Sequence, residues 1–210
     1  MNLETSKYLG GIGAILLVIG FLGSIGTGYS GLLSLVGLVL VLIAMKGLSD
    51  YYKEAGIFDN TLYGFVTSII AVVAFVAVIV ATLLGTIADM GIADWTNTAE
   101  WTAAFQETLS DMSALFNFIG GIILAVVVLF ILLVIAAIFY RKSLNMLSSK
   151  SGVGMFSTAG LLLLIGAILT IIVIGIIIIW IAIILLAVAF FSIKSPTTQA
   201  TPSTSPRPPE

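Results

Sequence analysis

The chain has 210 residues, of which 60% are hydrophobic and 9% charged, with a mean hydropathy of +1.24. Soluble domains carry about 25% charged residues, so too few charges are present here to coat a water-facing globule, and a soluble enzyme of ordinary design is disfavoured. A net charge of -2 gives no basis for nucleic-acid binding, and the absence of Cys and His removes disulfides, thiolate and imidazole metal sites, cysteine nucleophiles and the commonest general base.

Crossing a hydrocarbon core of about 30 Å takes about 20 mostly apolar residues in a helix. The first such run covers 8–25. It resembles a signal peptide with Lys7 at its basic end, but no small-x-small cleavage site follows and the apolar pattern continues, so an uncleaved first helix is expected. The polar, glycine-rich stretch 23–30 then turns the chain into a second run, 31–45, which extends helically through Lys46 and Leu48 with the lysine reaching towards headgroups. Further runs cover 62–88 and 114–140.

Between the third and fourth runs, Asn97 followed by Glu100 reads as a capping box. Trp101, Phe105, Leu109 and Met112 then recur at helical spacing, while Glu100, Glu107 and Asp111 lie largely off that stripe. The expectation is a short amphipathic helix over 97–112, with Trp101 and Phe105 against lipid or protein. It would serve as an acidic cap over the bundle or as a solvated helix anchored by its aromatics.

No charged residue occurs from Gly152 to Ile193. As one helix this stretch would measure roughly 63 Å, about twice the core thickness. A hairpin turning near Gly175, the backbone-permissive residue close to the midpoint, fits better. Ile19-Gly20 echoes Ile165-Gly166, and 31–45 aligns with 175–189, as if the first and last hairpins were versions of one unit. The fold class expected is therefore all-α, an integral membrane bundle of six transmembrane helices (about 8–26, 31–48, 62–88, 114–140, 153–173 and 176–193) with a short extracytoplasmic amphipathic helix. Five spans is the alternative. The Pro-, Ser- and Thr-rich stretch 195–210 has too little apolar content to offset ordering entropy and is expected to be a disordered cytoplasmic tail.

Orientation follows from the cations. With six spans and an inside amino terminus, all 8 basic residues (Lys7, Lys46, Lys53, Arg141, Lys142, Lys150, Lys194 and Arg207) fall on one side, as cytoplasmic loops require. The opposite side carries Asp89, Asp94, Glu100, Glu107 and Asp111. Tyr8, Tyr51, Tyr52, Tyr63 and Tyr140 fall at inner helix ends, the headgroup level that suits a phenol.

Candidate chemistry is sparse. Ion-coupled transporters keep ionisable groups within the membrane. The spans here hold only Thr67, Ser68, Thr82, Asn117, Thr158 and Thr170 as polar groups near their interiors. A serine nucleophile would lack a base, and no paired aspartates face one another. Leu9-Gly10-Gly11-Ile12-Gly13 lacks the Gly-Lys-Ser/Thr of a phosphate loop. No catalytic, cofactor-binding or metal-ligating residue is therefore assigned, and no cofactor is expected. Two stripes of small residues, Ser113/Asn117/Gly121/Ala125 and Ala77/Ala81/Gly85, suit close helix packing within the chain, with a second copy, or with a membrane-protein partner.

Two stretches carry a family likeness. One is Lys46-Gly-Leu-Ser-Asp-Tyr-Tyr-Lys53 continuing to Ile57-Phe-Asp-Asn-Thr-Leu-Tyr-Gly-Phe65; the other is Phe139-Tyr-Arg-Lys-Ser143 followed by 151–160 and the terminal hydrophobic hairpin. Together they resemble the prokaryotic, largely archaeal membrane family catalogued as domain of unknown function 996, over about residues 2–194. The resemblance implies a multi-pass membrane protein without an established activity and transfers no functional residues. The expected role is a non-catalytic structural or accessory component of the cell membrane, with lipids as partners and both termini cytoplasmic. The alternatives are a passive channel or uncoupled transporter, and a lipid-binding or lipid-modifying protein using Arg141, Lys142 and Lys150.

Overall fold

A computed structural model describes residues 2–23 and 30–194; the glycine-rich first connection and the 195–210 tail lie outside them. Seven α-helices follow in order: α1 (Leu3–Gly23), α2 (Ser30–Tyr52), α3 (Ala55–Asp89), α4 (Thr98–Ser110), α5 (Met112–Ser151), α6 (Met155–Leu169) and α7 (Ile174–Phe191), with a 3-10 turn at Thr170–Ile172 before α7. No strand occurs among the described residues. All helices except α4 belong to segments long and apolar enough to cross a membrane, the sixth running through the 3-10 turn to Ile172.

The helices run further than the apolar runs alone suggest. α3 begins at Ala55 and α5 continues to Ser151, so Arg141, Lys142 and Lys150 are helical rather than part of a loop. Helix hydrogen bonding continues past the hydrophobic boundary because nothing in 141–151 breaks it. At Gly152 it stops: this residue takes φ 73, the left-handed conformation that closes helices, and its N–H bonds Ser148 O at 3.0 Å. The α2–α3 connection is a sharp reversal with Lys53 at φ 52. Ser49 secures it, its hydroxyl donating to Glu54 O at 2.9 Å while its carbonyl accepts from Glu54 N–H at 3.0 Å.

The terminal hairpin turns earlier than expected. Its reversal is at 170–173, where Val173 adopts φ 66 and donates its N–H to Thr170 O at 3.0 Å. A positive φ is unfavourable for a β-branched residue, so local turn chemistry does not choose this point. Packing does. Gly175 lies inside α7, where an added Cβ would collide with the backbone of Gly166 and Leu169, and Gly166 in turn is pressed against Ile179. Gly175 is thus the closest-approach residue of the α6/α7 pair and not its turn.

α1/α2, α3/α5 and α6/α7 form three antiparallel hairpins, and each neighbours the next, so the six long helices close into a ring. Tyr8 meets Phe191 with ring centroids 6.3 Å apart, which brings the start of α1 beside the end of α7. The hairpins share a core at that end, built from Leu3, Met45, Leu48, Ile57, Leu147, Phe156, Phe190 and Ile193. Towards the other end, burial is confined to small residues such as Gly20, Gly37, Ala71, Ala125, Gly166 and Gly175. Large side chains there face outward, among them Leu35, Val73, Leu84, Phe116 and Ile123. The hairpins therefore converge at the basic end and part towards the acidic one. Gly20 and Gly166 both mark a contact within their hairpins, as the internal echo suggests, but Gly31 touches nothing and Gly13 and Gly37 make the α1/α2 crossing instead.

Candidate functional site

Where the three hairpins converge, a cavity of about 220 Å³ receives a side chain from every long helix: Leu17, Met45, Thr61, Tyr140, Leu163 and Ile183. Its lining is apolar apart from Thr61 and Tyr140. Below it, towards the basic end, the core seals the interior with Leu48, Ile57, Leu147 and the edge-on rings of Phe156 and Phe190, 5.2 Å apart.

One polar node sits beside the cavity. Thr61 and Ser143 are both buried, with hydroxyls 2.7 Å apart. Each also lies within hydrogen-bond reach of Ile57 O, at 2.8 and 2.5 Å. Two protons thus serve three oxygen–oxygen contacts, one hydroxyl donating to the other and the second to the carbonyl. Burying them unpaired would cost about 1–3 kcal/mol each. Close by, the Tyr140 ring lies where a Cβ on Gly64 would meet it at 3.0 Å, and Gly160 lies against Arg141 Cα at a corresponding 3.1 Å.

This node joins the segments that carried the family likeness: 57–65 supplies Thr61 and Gly64, 139–143 supplies Tyr140 and Ser143, and 151–160 supplies Gly160. Sequence reading placed Tyr140 with the interfacial tyrosines; the structure turns it inward to line the cavity, while Tyr8, Tyr51 and Tyr63 stay exposed. It also missed Thr61 and Ser143 as partners. Their signal was their position at the ends of the third and fourth apolar runs, where a hydroxyl can be buried beside a neighbouring helix.

The acidic end carries a second cavity, of about 500 Å³, lined by Thr86, Asp89, Glu107, Thr108, Asp111 and Asn117 among others. No group of three or more His, Cys, Asp or Glu among the described residues is arranged to hold a metal ion. α4 borders this cavity with its polar face. Phe105, Leu109 and Met112 point away from the protein and are exposed, so the stripe does not pack on the bundle. Trp101 is half-buried against Trp95, ring centroids 5.4 Å apart, and its indole donates to Trp95 O at 3.3 Å. Only half of the expected capping box forms. Asn97 Oδ1 accepts from Ala99 and Glu100 N–H at 3.1 and 3.4 Å, but the Glu100 carboxylate accepts from Ala93 and Asp94 N–H instead. It braces the preceding loop, because Asn97 N–H is already bonded to Asp94 O. Asp94 accepts in turn from the hydroxyl and N–H of Thr96, which hold its carboxyl below its ordinary pKa.

The basic groups are spread over the opposite end. Lys150 pairs with Glu54 at 3.1 Å and Lys46 with Asp50 at 2.9 Å, while Arg141 and Lys142 are exposed. The two small-residue stripes part ways. Gly121 is pressed against Thr82 and Ala125 is buried, so the first stripe serves the α3/α5 contact. Ala77, Ala81 and Gly85 are exposed, with open space beside Gly85.

The geometry defines a helical bundle of six membrane-length helices around an apolar interior. Comparison with known proteins places it more narrowly. Residues 33–184 match the model of a family described as protein of unknown function (DUF996). An uncharacterized protein of Methanocaldococcus jannaschii is 33% identical over 193 residues, covering 92% of this chain and 94% of the relative. The chain belongs to that family. No solved structure matches it.

Proposed function

We propose that the protein is a multi-pass component of the cell membrane, with both termini cytoplasmic, which catalyses no reaction of its own and acts as a structural or accessory membrane protein. The observation that carries this reading is the interior: where all six long helices meet, the lining is apolar apart from Thr61 and Tyr140, and its basic end is filled by packed side chains. Such an interior offers no aqueous path for a solute, and its hydroxyls, those of Thr61, Ser143 and Tyr140, have no Asp, Glu, Lys or Arg in the cavity lining to activate them. The one-sided placement of the basic residues supports the orientation.

The chain contains no Cys, so single-cysteine variants report cleanly. In sealed vesicles, Lys7→Cys and Lys150→Cys label from one face and Glu107→Cys from the other. Labelling of the two lysine positions from opposite faces overturns the orientation. Solute flux through proteoliposomes above that of empty liposomes overturns the non-conducting role.

A further inference from the structure

Laterally, at the basic end, the seam between α2 and α3 is not closed. An apolar cleft of about 300 Å³ there is lined by Leu42, Ile43, Lys46 and Phe58 among others. Beside it, a more polar cleft, also of about 300 Å³, is bordered by Lys46, Asp50, Lys53 and Asp59. Leu42 also lines the central cavity, while Lys46, Asp50 and Phe58 border both clefts. The three spaces therefore adjoin in series between charged surface and apolar interior, with the Leu42 side chain standing between the apolar cleft and the central cavity.

The charges around the outermost space are arranged unevenly. Lys46 is engaged by Asp50 at 2.9 Å and lies 5.3 Å from the Phe58 ring centroid. Lys53 and Asp59 border the same cleft, and among the described residues neither is in an ion pair. A ligand head bearing one anion and one cation would complement both, and a primary ammonium, unlike a quaternary one, also has N–H groups to donate to the Asp59 carboxylate. A purely anionic head would meet Lys53 but leave Asp59 facing it with the same sign. The inner end selects hydrocarbon: an apolar cavity of about 150 Å³ stays dry and takes up benzene, and the space here is larger.

We propose that the α2/α3 seam binds one zwitterionic phospholipid with a primary-amine headgroup, its phosphate on Lys53, its ammonium on Asp59, and a hydrocarbon tail passing Leu42 into the central cavity. This rests on the membrane reading above and gives the accessory protein a defined lipid ligand.

The test is native mass spectrometry of the full chain in mild detergent, supplied with equal amounts of dioleoyl phosphatidylethanolamine, phosphatidylcholine and phosphatidylglycerol. One phosphatidylethanolamine is retained about threefold over either competitor, the scale of a solvent-exposed charge pair. Asp59→Asn removes the preference over phosphatidylcholine. Lys53→Asn, which keeps a residue tolerant of positive φ, lowers retention of all three lipids. Leu42→Trp blocks the neck and loses the lipid with every charge in place. Lys53 and Asp59 are both exposed, and unchanged melting of the two charge variants shows that folding is not what moved. Retention in proportion to supply, or a preference that survives Asp59→Asn, overturns the proposal. If lipid selectivity is absent while cysteine labelling in sealed vesicles remains one-sided, the lipid site falls and the membrane reading stands; if labelling also fails, the membrane reading is what was wrong.

Discussion

At the basic end of the bundle, large side chains from all three hairpins interlock; towards the acidic end the buried residues are small, and close approaches within the hairpins run through glycines such as Gly20, Gly121 and Gly166. Phe156 and Phe190 are fully buried, whereas Phe116, on an equally apolar helix, is 68% exposed. Both phenylalanine environments lie on apolar helices, so hydrophobicity alone does not make a core. A protein core forms where large residues from different hairpins are brought to one level, and here that level is fixed by the short α2–α3 and α5–α6 connections.

The contrast is sharpest in truncation. Phe156→Ala is expected to cost about 3–5 kcal/mol, the range for emptying a buried aromatic site, while Phe116→Ala leaves thermal melting in detergent nearly unchanged. Similar losses from both would show that the acidic end is packed too. Enlargement tests the hairpins singly. Gly166→Leu forces a side chain into Ile179 and the Gly175 backbone and costs about 1–3 kcal/mol, whereas Gly85→Leu enters open space and is tolerated. Ser143→Ala is milder, at about 1 kcal/mol, since Thr61 still reaches its own Ile57 carbonyl.

The smallest effects belong to α4. Asn97→Ala removes its cap and costs about 1 kcal/mol locally, read as faster amide exchange over 98–102 with the global melt unmoved. Acidification acts on the same region. The folded-state pKa of Asp94 is depressed by the Thr96 bonds, so its contribution is present above the ordinary carboxylate pKa and is lost as pH falls through the lowered value. Protection of the Thr96 amide, taken relative to its intrinsic exchange rate, therefore falls at acid pH, and Asp94→Asn removes that dependence. A Thr96 protection factor that stays constant with pH in the parent protein would show that the Thr96 bonds do not form in solution.

These two ends were not equally legible. The apolar runs, the acidic connection, the Asn97 cap and the α4 stripe could be read because each has a signal in residue type and spacing. The direction in which a residue points could not be read within α5, α6 or α7, since a helix that is apolar all round has no polar face to orient it. Tyr140 stands at a helix end where a phenol suits the headgroups, yet packing against Gly64 draws it inward. The reversal at Val173 was hidden because no turn residue marks it; the Gly166–Gly175 contact sets it from a distance. Glu100 was assigned a partner by motif and took another, because the Asn97 N–H was already occupied by Asp94 O. The central cavity had no sequence signal at all: each helix contributes an ordinary aliphatic side chain, and only their convergence makes a site.

The unequal lengths of the hairpins carry a mechanical consequence. α3 has 35 residues and α5 has 40, while α6 has 15 and α7 has 18. Counting only the apolar runs 62–88 and 114–140, at about 1.5 Å per residue the middle pair outreaches the last pair by about 13 Å. A bilayer matched to the short pair leaves greasy rod uncovered, and one matched to the long pair submerges the α6/α7 turn. Leaning of the long pair, or local swelling of the surrounding lipid, resolves the mismatch at a fraction of a kcal/mol per ångström. Embedded in a bilayer, such a molecule would impose a thickness gradient around its circumference.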